Sequence, residues 1–406
     1  MENEIHSYEM RIEKPETIKY FSENRDNEKP DIYLLTWNGS ENYGTNLQAY
    51  ALKVFIEKLG YNCFMFSGSG RMSLKIFWNK ATQKIKNHLK IFRDKKSNDI
   101  YAEKTMLKRE KIHNYLEKNF NYIKINTRDK LKKISTQSIF LVGSDQVWNP
   151  YYLDSSALLD FLPDDYIRCS YAASVGIDSI PVNKRHLYKL NLSKFSYITV
   201  REESSKRALK EFMPTAKIET VMDPTFLLDI NDWDNFTKQA DFSNSQLIPQ
   251  DFILCYFVGN QMDYSNQINI ISEKLKCLVF QVAESSGGFN TKYGIPIPEA
   301  GPAEFVWLIK HAKMILTDSF HAVALAVNLQ KEFVVFKRFH DDDIHSQNGR
   351  IDDVLKTLGL SSQMYTRNQN ILSIIEKNID YSKVSIRRNN ECKKSIEILK
   401  KMIQKG

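Results

Sequence analysis

The stretch that constrains the fold most is residues 312–336, AKMILTDSFHAVALAVNLQKEFVVF. An apolar run at 314–316 predicts a buried strand, and another at 333–336 predicts a second one. Between them, the capping residue types at 317–319 precede a short apolar helix over 320–329. A strand–helix–strand unit of this kind builds a parallel sheet. Ligands of such sheets bind beyond the carboxyl ends of the strands, where helix N-termini present free N–H groups.

His321 stands at the start of this predicted helix. Imidazole exchanges a proton near neutral pH, so His321 is a candidate acid or base. Ser319 and Phe320 lie at the same turn, where the helix N-terminus favours negative charge. A capped helix that happens to carry a histidine is the alternative interpretation of this turn taken alone.

The same alternation of short apolar strands and helices fills most of the chain. It begins with a strand at 32–37, a Gly/Asn-rich loop and a helix at 45–59, and it restarts at 252–258. We therefore predict an α/β fold with two doubly wound, Rossmann-like domains that face one cleft. The predicted divisions are an N-terminal extension at 1–30, a first domain at 31–225, a second domain at 226–362 and C-terminal helices at 363–406.

Length and composition fit a globular protein of this size. The 406 residues suffice for two cores, and the hydrophobic content of 42% is ordinary. No apolar segment predicts a signal peptide or a membrane span. The five cysteines are scattered and form no C-x-x-C pair, so neither a disulfide framework nor a zinc site is predicted. A reducing cytosol fits this pattern best.

The net charge of +8 is concentrated in a predicted basic helical insertion at 71–133, which holds 19 Lys and Arg against 6 Asp and Glu. An excess of this size indicates an anionic partner. Residues 72–93 form a basic amphipathic helix pattern with Trp78 on the apolar face, as in helices that lie on membranes. Packing on the protein's own core is the favoured alternative. No nucleic-acid partner is predicted, because no reader motif accompanies the charge.

Other polar residues follow predicted strands directly. Arg201 and Arg350 offer the planar fork that grips carboxylates and phosphates. Asp145 suits a base or a ligand for sugar hydroxyls, and Trp148 suits stacking on a sugar ring. Each also has an ordinary structural explanation: a surface ion pair, a helix cap or a core position. The carboxylates at 341–343 fix no geometry, so a solvated loop is favoured and no metal site is predicted.

Taken in order, these clusters make the chain resemble the polysaccharide pyruvyl transferase family over roughly residues 31–360. The motifs that carry the resemblance are NYGTNLQAYA at 42–51, GSDQVWN at 143–149, YAAS at 171–174 with Gly176, VREES at 200–204, DPTFL at 223–227, TDSFH at 317–321 and NGR at 348–350. Ala322 stands where the family has glycine, which removes no functional group.

The resemblance implies a GT-B-like fold and a transferase that moves pyruvate from phosphoenolpyruvate to two sugar hydroxyls, forming a cyclic ketal. The acceptor would be a surface glycan, such as an exopolysaccharide, capsule or cell wall glycan, or its lipid-linked precursor. Phosphoenolpyruvate is then a co-substrate, and neither cofactor nor metal is expected. The predicted catalytic residues are His321, Arg201 and Asp145. The predicted donor-binding residues are Ser319, Phe320, Asn348 and Arg350. The predicted acceptor-binding residues are Asn42, Tyr43, Asn46, Gln48, Ser144, Gln146 and Trp148.

Two other functions remain open at the level of the sequence. One is a GT-B glycosyltransferase that uses a sugar nucleotide on the same two-domain plan. The other is a non-enzymatic module that binds anionic glycan or membrane through residues 72–133. The expected location is the cytoplasm, with peripheral contact at the inner face of the plasma membrane if residues 72–93 bind lipid.

Overall fold

A computed structural model describes residues 29–67, 101–125, 128–243, 248–259, 262–340, 349–367 and 369–405. The basic amphipathic pattern at 72–93, the carboxylates at 341–343 and Asn348 lie outside the described residues. Within the described ranges, no helix combines the length and apolar content that a bilayer span requires.

The first sheet has seven parallel strands in the order β3-β2-β1-β4-β5-β6-β7. Their burial on both faces explains the near-continuous apolar runs of the central strands. The strands are β1 (Ile32–Leu35), β2 (Cys63–Ser67), β3 (Tyr122–Lys124), β4 (Ile139–Val142), β5 (Ile167–Ala173), β6 (Tyr197–Val200) and β7 (Ile218–Thr220). The helices of this part are α1 (Tyr43–Lys58), α2 (Ala102–Asn119), α3 (Arg128–Lys132), α4 (Val182–Leu192) and α5 (Glu203–Lys210).

The second sheet has five parallel strands in the order β10-β9-β8-β11-β12. They are β8 (Phe252–Tyr256), β9 (Leu278–Val282), β10 (Ile295–Pro296), β11 (Met314–Thr317) and β12 (Phe333–Val335). The helices of this half are α6 (Ile230–Thr237), α7 (Ser265–Leu275), α8 (Pro302–His311), α9 (Phe320–Asn328), α10 (Gly349–Leu358), α11 (Leu372–Ile375) and α12 (Tyr381–Lys405). The predicted fold class, two doubly wound parallel sheets, is confirmed.

The two sheets share a continuous apolar core. Tyr43 of α1 stacks on Phe305 of α8 with ring centroids 4.3 Å apart, and its hydroxyl donates a hydrogen bond to the Ala300 carbonyl. The last helix, α12, returns to the segment between the sheets, where Arg388 donates to the carbonyls of Phe226 and Leu228. These contacts fix the relative placement of the two sheet edges that form the site.

The strand β3 and the pairing of Ile295–Pro296 with β9 were not predicted from the sequence. Tyr122–Lys124 has only three residues at the sheet edge. Ile295–Pro296 has two residues within a loop rich in Gly and Pro. Segments this short carry too little periodicity to be recognised.

Candidate active site

The carboxyl ends of both sheets meet at one cleft. In the first sheet, Ser144 and Asp145 follow β4, Arg201 follows β6, and Asp223 follows β7. In the second sheet, α9 begins directly after β11 and brings His321 to the same place. The predicted meeting of polar residues at strand ends therefore occurs, and it occurs across the two halves of the chain.

A buried ion cluster centres on Arg201, whose side chain is almost fully shielded from solvent. Its guanidinium lies 3.1 Å from Asp223 Oδ2, 3.2 Å from Glu202 Oε2 and 3.8 Å from Asp145 Oδ1. Burial disfavours the cation, yet the three carboxylates together raise the pKa of Arg201 above its usual range. Its carbon Cζ stands 4.4 Å from the centre of the Phe320 ring, which closes one face of the guanidinium.

Asp223 connects this cluster to the histidine. Its Oδ2 atom accepts hydrogen bonds from Ser144 Oγ and Arg201, and Oδ1 accepts from the backbone and hydroxyl of Thr225. His321 Nε2 lies 3.7 Å from the same Oδ2. Burial opposes ionisation, but His321 and Arg201 outweigh it and lower the pKa of Asp223 far below its usual range. Its neighbours therefore favour the ionised form of Asp223 beside the imidazole.

His321 is held in a narrow place between the two halves. Its residue surface is 7% exposed, and Nε2 is buried with no hydrogen-bond partner among the described residues. The other side of the ring packs on Gly44 of α1, where a Cβ atom would lie 2.1 Å from Nδ1. The glycine of the NYGT motif thus makes room for the histidine of the TDSFH motif.

Two further arginines stand at the cleft. Arg338 follows β12 and donates a hydrogen bond to the Asp318 carbonyl, and its Nε atom lies 3.5 Å from the Asp318 carboxylate. Arg350 lies in the first turn of α10. Burial, followed by the positive charges of Arg201 and Arg338, lowers the pKa of Arg350 to about 9. The positive charges of Arg201 and Arg338 therefore act on Arg350, partly offset by Asp145 and Glu202, and a concentration of positive charge favours binding of an anion.

The loop after β4 has an unusual backbone. Asp145 has a φ of 66°, in the left-handed region, and Gly143 has a φ of 108°. A Cβ at Gly143 would lie 2.3 Å from the Tyr171 carbonyl oxygen, so only glycine fits there. Asp145 accepts hydrogen bonds from the Gln146 backbone and the Thr45 hydroxyl. Its carboxylate therefore belongs to the cluster around Arg201, and its catalytic role stays a prediction.

The acceptor-binding assignments need correction. Trp148 is fully buried, packs on Phe195 and donates its indole N–H to the Ala157 carbonyl, so it offers no surface to a sugar. Tyr43 is fully buried in the core shared by the two sheets. The remaining buried members of the set bind backbone or neighbouring side chains; they are Asn46, Gln48, Ser144 and Gln146.

Asn42 is the member of that set that faces the cleft. Its Oδ1 caps α1 by accepting from Thr45 N, and its amide donates to the Glu284 carboxylate across the cleft. Of the donor set, Ser319 and Phe320 are buried beside His321, and Ser319 makes no side-chain cap bond to α9. The roles of Asn42, Ser319, Phe320 and Arg350 remain predictions.

Sequence reasoning missed several residues of the site. Asp223, Glu202 and Arg338 each directly follow or closely follow a strand, which is the rule that singled out Arg201. Lys108 of α2 was also not predicted. Its Nζ is buried and donates hydrogen bonds to the carbonyls of Ala283 and Glu284 in the second half of the chain. In the ranges that the structure describes, no group of three His, Cys, Asp or Glu residues is placed to hold a metal ion.

Fold and site together define a class: a two-domain α/β protein of the GT-B arrangement with a histidine, carboxylates and arginines gathered between the sheets. The sequence profile of the polysaccharide pyruvyl transferase family matches residues 42–338. The chain belongs to the polysaccharide pyruvyl transferase family, and family membership makes it a transferase. A comparison with curated proteins gave no match.

Solved structures of similar shape come from enzymes of glycan metabolism. A variant of the wall teichoic acid polymerase TagF has a TM-score of 0.48 at 8% identity, covering 93% of this chain and 90% of that one. The UDP-N-acetylglucosamine 2-epimerase of Rickettsia bellii has a TM-score of 0.47 at 11% identity, covering 93% and 97%. The UDP-GlcNAc 2-epimerase of Methanocaldococcus jannaschii has a TM-score of 0.39 at 13% identity, covering 88% and 98%. These are similarities of overall shape only.

Proposed function

We propose that this protein transfers pyruvate from phosphoenolpyruvate to two hydroxyls of one sugar in a surface glycan or its lipid-linked precursor, and that His321 is the proton carrier. The observation that carries the proposal is the placement of His321. Its Nε2 is buried with no hydrogen-bond partner among the described residues, and it faces the anionic Asp223 at 3.7 Å. A carboxylate there orients the imidazole and stabilises its protonated form.

The reaction requires balanced proton movements. A proton added to the methylene carbon of phosphoenolpyruvate makes the methyl group, and C2 becomes open to attack by the first sugar hydroxyl, which loses its proton. The C–O bond to phosphate then breaks, and the second hydroxyl attacks the same carbon and loses its proton. One of the two released protons replaces the one consumed, and the other goes to the departing phosphate. His321 supplies the first proton, and a sugar hydroxyl that loses its proton then reprotonates the imidazole.

The donor's two anionic groups suit the arginines of the cleft. Burial and then the positive charges of Arg201 and Arg338 lower the pKa of Arg350 to about 9, and a carboxylate or phosphate bound between Arg350 and Arg338 would favour the charged form again. Positioned cations also stabilise the charge that develops on the departing phosphate. Arg201 is already surrounded by carboxylates, so we assign it mainly to holding Asp223 in place.

The test is incubation of the purified protein with phosphoenolpyruvate and deketalised glycans, measuring inorganic phosphate and the ketal methyl signal by NMR. We expect both products with the wild type and neither with His321→Ala. His311→Ala, which alters a histidine at the distal end of α8, is the matched control and should retain activity. Turnover of a sugar nucleotide instead of phosphoenolpyruvate, or full activity in His321→Ala, would refute the proposal.

We propose that the protein acts at the cytoplasmic side of the membrane, because lipid-linked glycan precursors are anchored there. Vesicle sedimentation of the full chain tests this. Binding that depends on anionic lipid and falls with salt supports contact through the basic residues at 71–133. Equal sedimentation with neutral lipid contradicts it.

A further inference from the structure

The first half of the chain exposes an aromatic surface beside the cleft. Tyr151 is 55% exposed, Tyr152 is 62% exposed and Val182 is 78% exposed. Trp37, which is partly buried, contacts Tyr152 edge to face with ring centroids 6.4 Å apart. We call Trp37, Tyr151, Tyr152 and Val182 the aromatic platform. Exposed apolar side chains that cluster in this way mark interaction surfaces.

The topology places the aromatic platform on the same sheet edge as the site. Trp37 follows β1, the two tyrosines follow β4, and Val182 begins α4 after β5. These three strands are neighbours in the sheet, and their carboxyl ends lie at one edge. Lys184 near the start of α4 donates to the Pro150 carbonyl, which joins α4 to the tyrosine loop.

A chain of hydrogen bonds connects the aromatic platform to the reacting groups. The Gln146 backbone donates to Asp145, and Gln146 Oε1 accepts from the Asn149 amide. Asn149 then accepts from the backbone N–H of Tyr151 through its side chain and from that of Tyr152 through its carbonyl. The side-chain amide of Gln48 donates a hydrogen bond to the Trp37 carbonyl. The backbone of Tyr151 and Tyr152 is therefore tied to the loop that carries Asp145.

We propose that the aromatic platform binds the sugar rings of the acceptor glycan next to the residue that is modified; this inference rests on the proposed function. Tyrosine and tryptophan rings bury an apolar face while their polar groups stay in water, which matches the C–H face and the hydroxyls of a pyranose. Trp37, Tyr151 and Tyr152 follow strands whose carboxyl ends lie at the sheet edge that also carries Asp145. It supplies the stacking residues that the sequence had assigned to the buried Trp148.

The test measures glycan binding without turnover. Surface polysaccharide from the producing organism is deketalised with mild acid and cast into a native gel, and retardation of the full-length protein gives an apparent Kd. We expect retarded wild type and a Tyr151→Ala/Tyr152→Ala variant that binds at least about threefold more weakly, since one aromatic contact is worth about 0.5–1.5 kcal/mol. Tyr152→Phe, which keeps the ring, should bind as the wild type does.

Ile386→Ala is the matched control, because Ile386 is an apolar residue that is 63% exposed on α12 and is not part of the aromatic platform. Equal retardation of wild type and double variant would overturn the inference, as would a wild type that is not retarded. A double variant that loses sedimentation with phosphatidylglycerol vesicles but keeps its retardation in polysaccharide would also overturn it, in favour of a lipid surface. Phosphoenolpyruvate is absent from the gel, so the binding result can be interpreted even if the proposed pyruvyl transfer fails.

Discussion

Gly44→Ala tests whether the position of His321, rather than its mere presence, supports activity. Alanine favours a helix over glycine by up to about 1 kcal/mol, so α1 itself should tolerate the change. The new Cβ, however, would lie 2.1 Å from Nδ1, 2.4 Å from Cγ and 2.8 Å from Cβ of His321. Ordinary contact between such atoms needs about 3.5 Å, so the imidazole must move by about 1.4 Å.

Because a misplacement of about 1 Å can cost about 100-fold in rate, we expect kcat to fall by at least that factor. The KM for phosphoenolpyruvate should change less, since the arginines of the cleft do not touch Gly44. The assay is steady-state phosphate release at saturating donor and acceptor. Gly287→Ala is the control, because no atom lies within 4 Å of the Cβ it would add.

A double-mutant cycle separates this mechanism from general damage. The His321→Ala substitution removes the imidazole and so frees the space that the new methyl group at position 44 needs. Gly44→Ala should therefore lower Tm in the wild type and not in the His321→Ala background. Wild-type kcat in a folded Gly44→Ala protein would refute the reasoning. An equal loss of Tm in both backgrounds would show that the methyl group acts on something other than the imidazole.

Three further predictions follow from the charges at the site. Asp223→Asn keeps the side chain's shape but removes the anion facing His321, so kcat per folded protein should fall about 100-fold or more, and Tm should fall because Arg201 loses one of its carboxylate partners; unchanged kcat would remove Asp223 from the mechanism. Arg350→Gln removes a cation beside the positive charges of Arg201 and Arg338, and it should weaken phosphoenolpyruvate binding about ten- to a hundredfold by calorimetry; an unaltered Kd would contradict the donor assignment. Burial lowers the pKa of Lys108 to about 7, so between that pH and the ordinary lysine pKa the unfolded chain holds a proton that the native protein lacks. The unfolding free energy of wild type relative to Lys108→Met should therefore rise with pH above 7, by up to about 1.4 kcal/mol per pH unit, in denaturant titrations; a difference independent of pH would show that Lys108 is charged in the native state.

Much of the architecture could be predicted from the sequence because the strands of a parallel sheet are apolar runs in the sequence, and polar turns follow them. The helix predicted at 320–329 matches α9, Phe320–Asn328, and the strand predicted at 314–316 matches β11, Met314–Thr317. The same rule correctly brought Arg201, Asp145 and His321 to one place, because the carboxyl ends of all the parallel strands lie at one edge.

What the rule does not decide is whether a polar side chain after a strand points into the cleft or into the protein. Gln48 and Asn46 satisfy backbone groups of the loop after β1, and Trp148 lies in the core, where its indole N–H donates to the Ala157 carbonyl. The burial of Tyr43 depends on Phe305, more than 250 residues further along the chain. No local pattern encodes a contact of that range.

Arg201 shows why the chemistry and the stability of this site have to be separated by experiment. Its guanidinium neutralises carboxylates from β4, β6 and β7, and removal of one partner of a buried ion pair costs about 3–5 kcal/mol. An inactive Arg201→Ala protein would therefore say little about donor binding, since Asp223 and Glu202 would be left buried without their cation. Arg350 experiences both the positive charges of Arg201 and Arg338 and the negative charges of Asp145 and Glu202, so the stability of Arg350→Gln has to be measured beside its affinity for the donor. A loss of donor affinity at unchanged Tm in Arg350→Gln would identify a residue that binds the substrate, whereas Arg201→Ala should lose stability because it holds the site together.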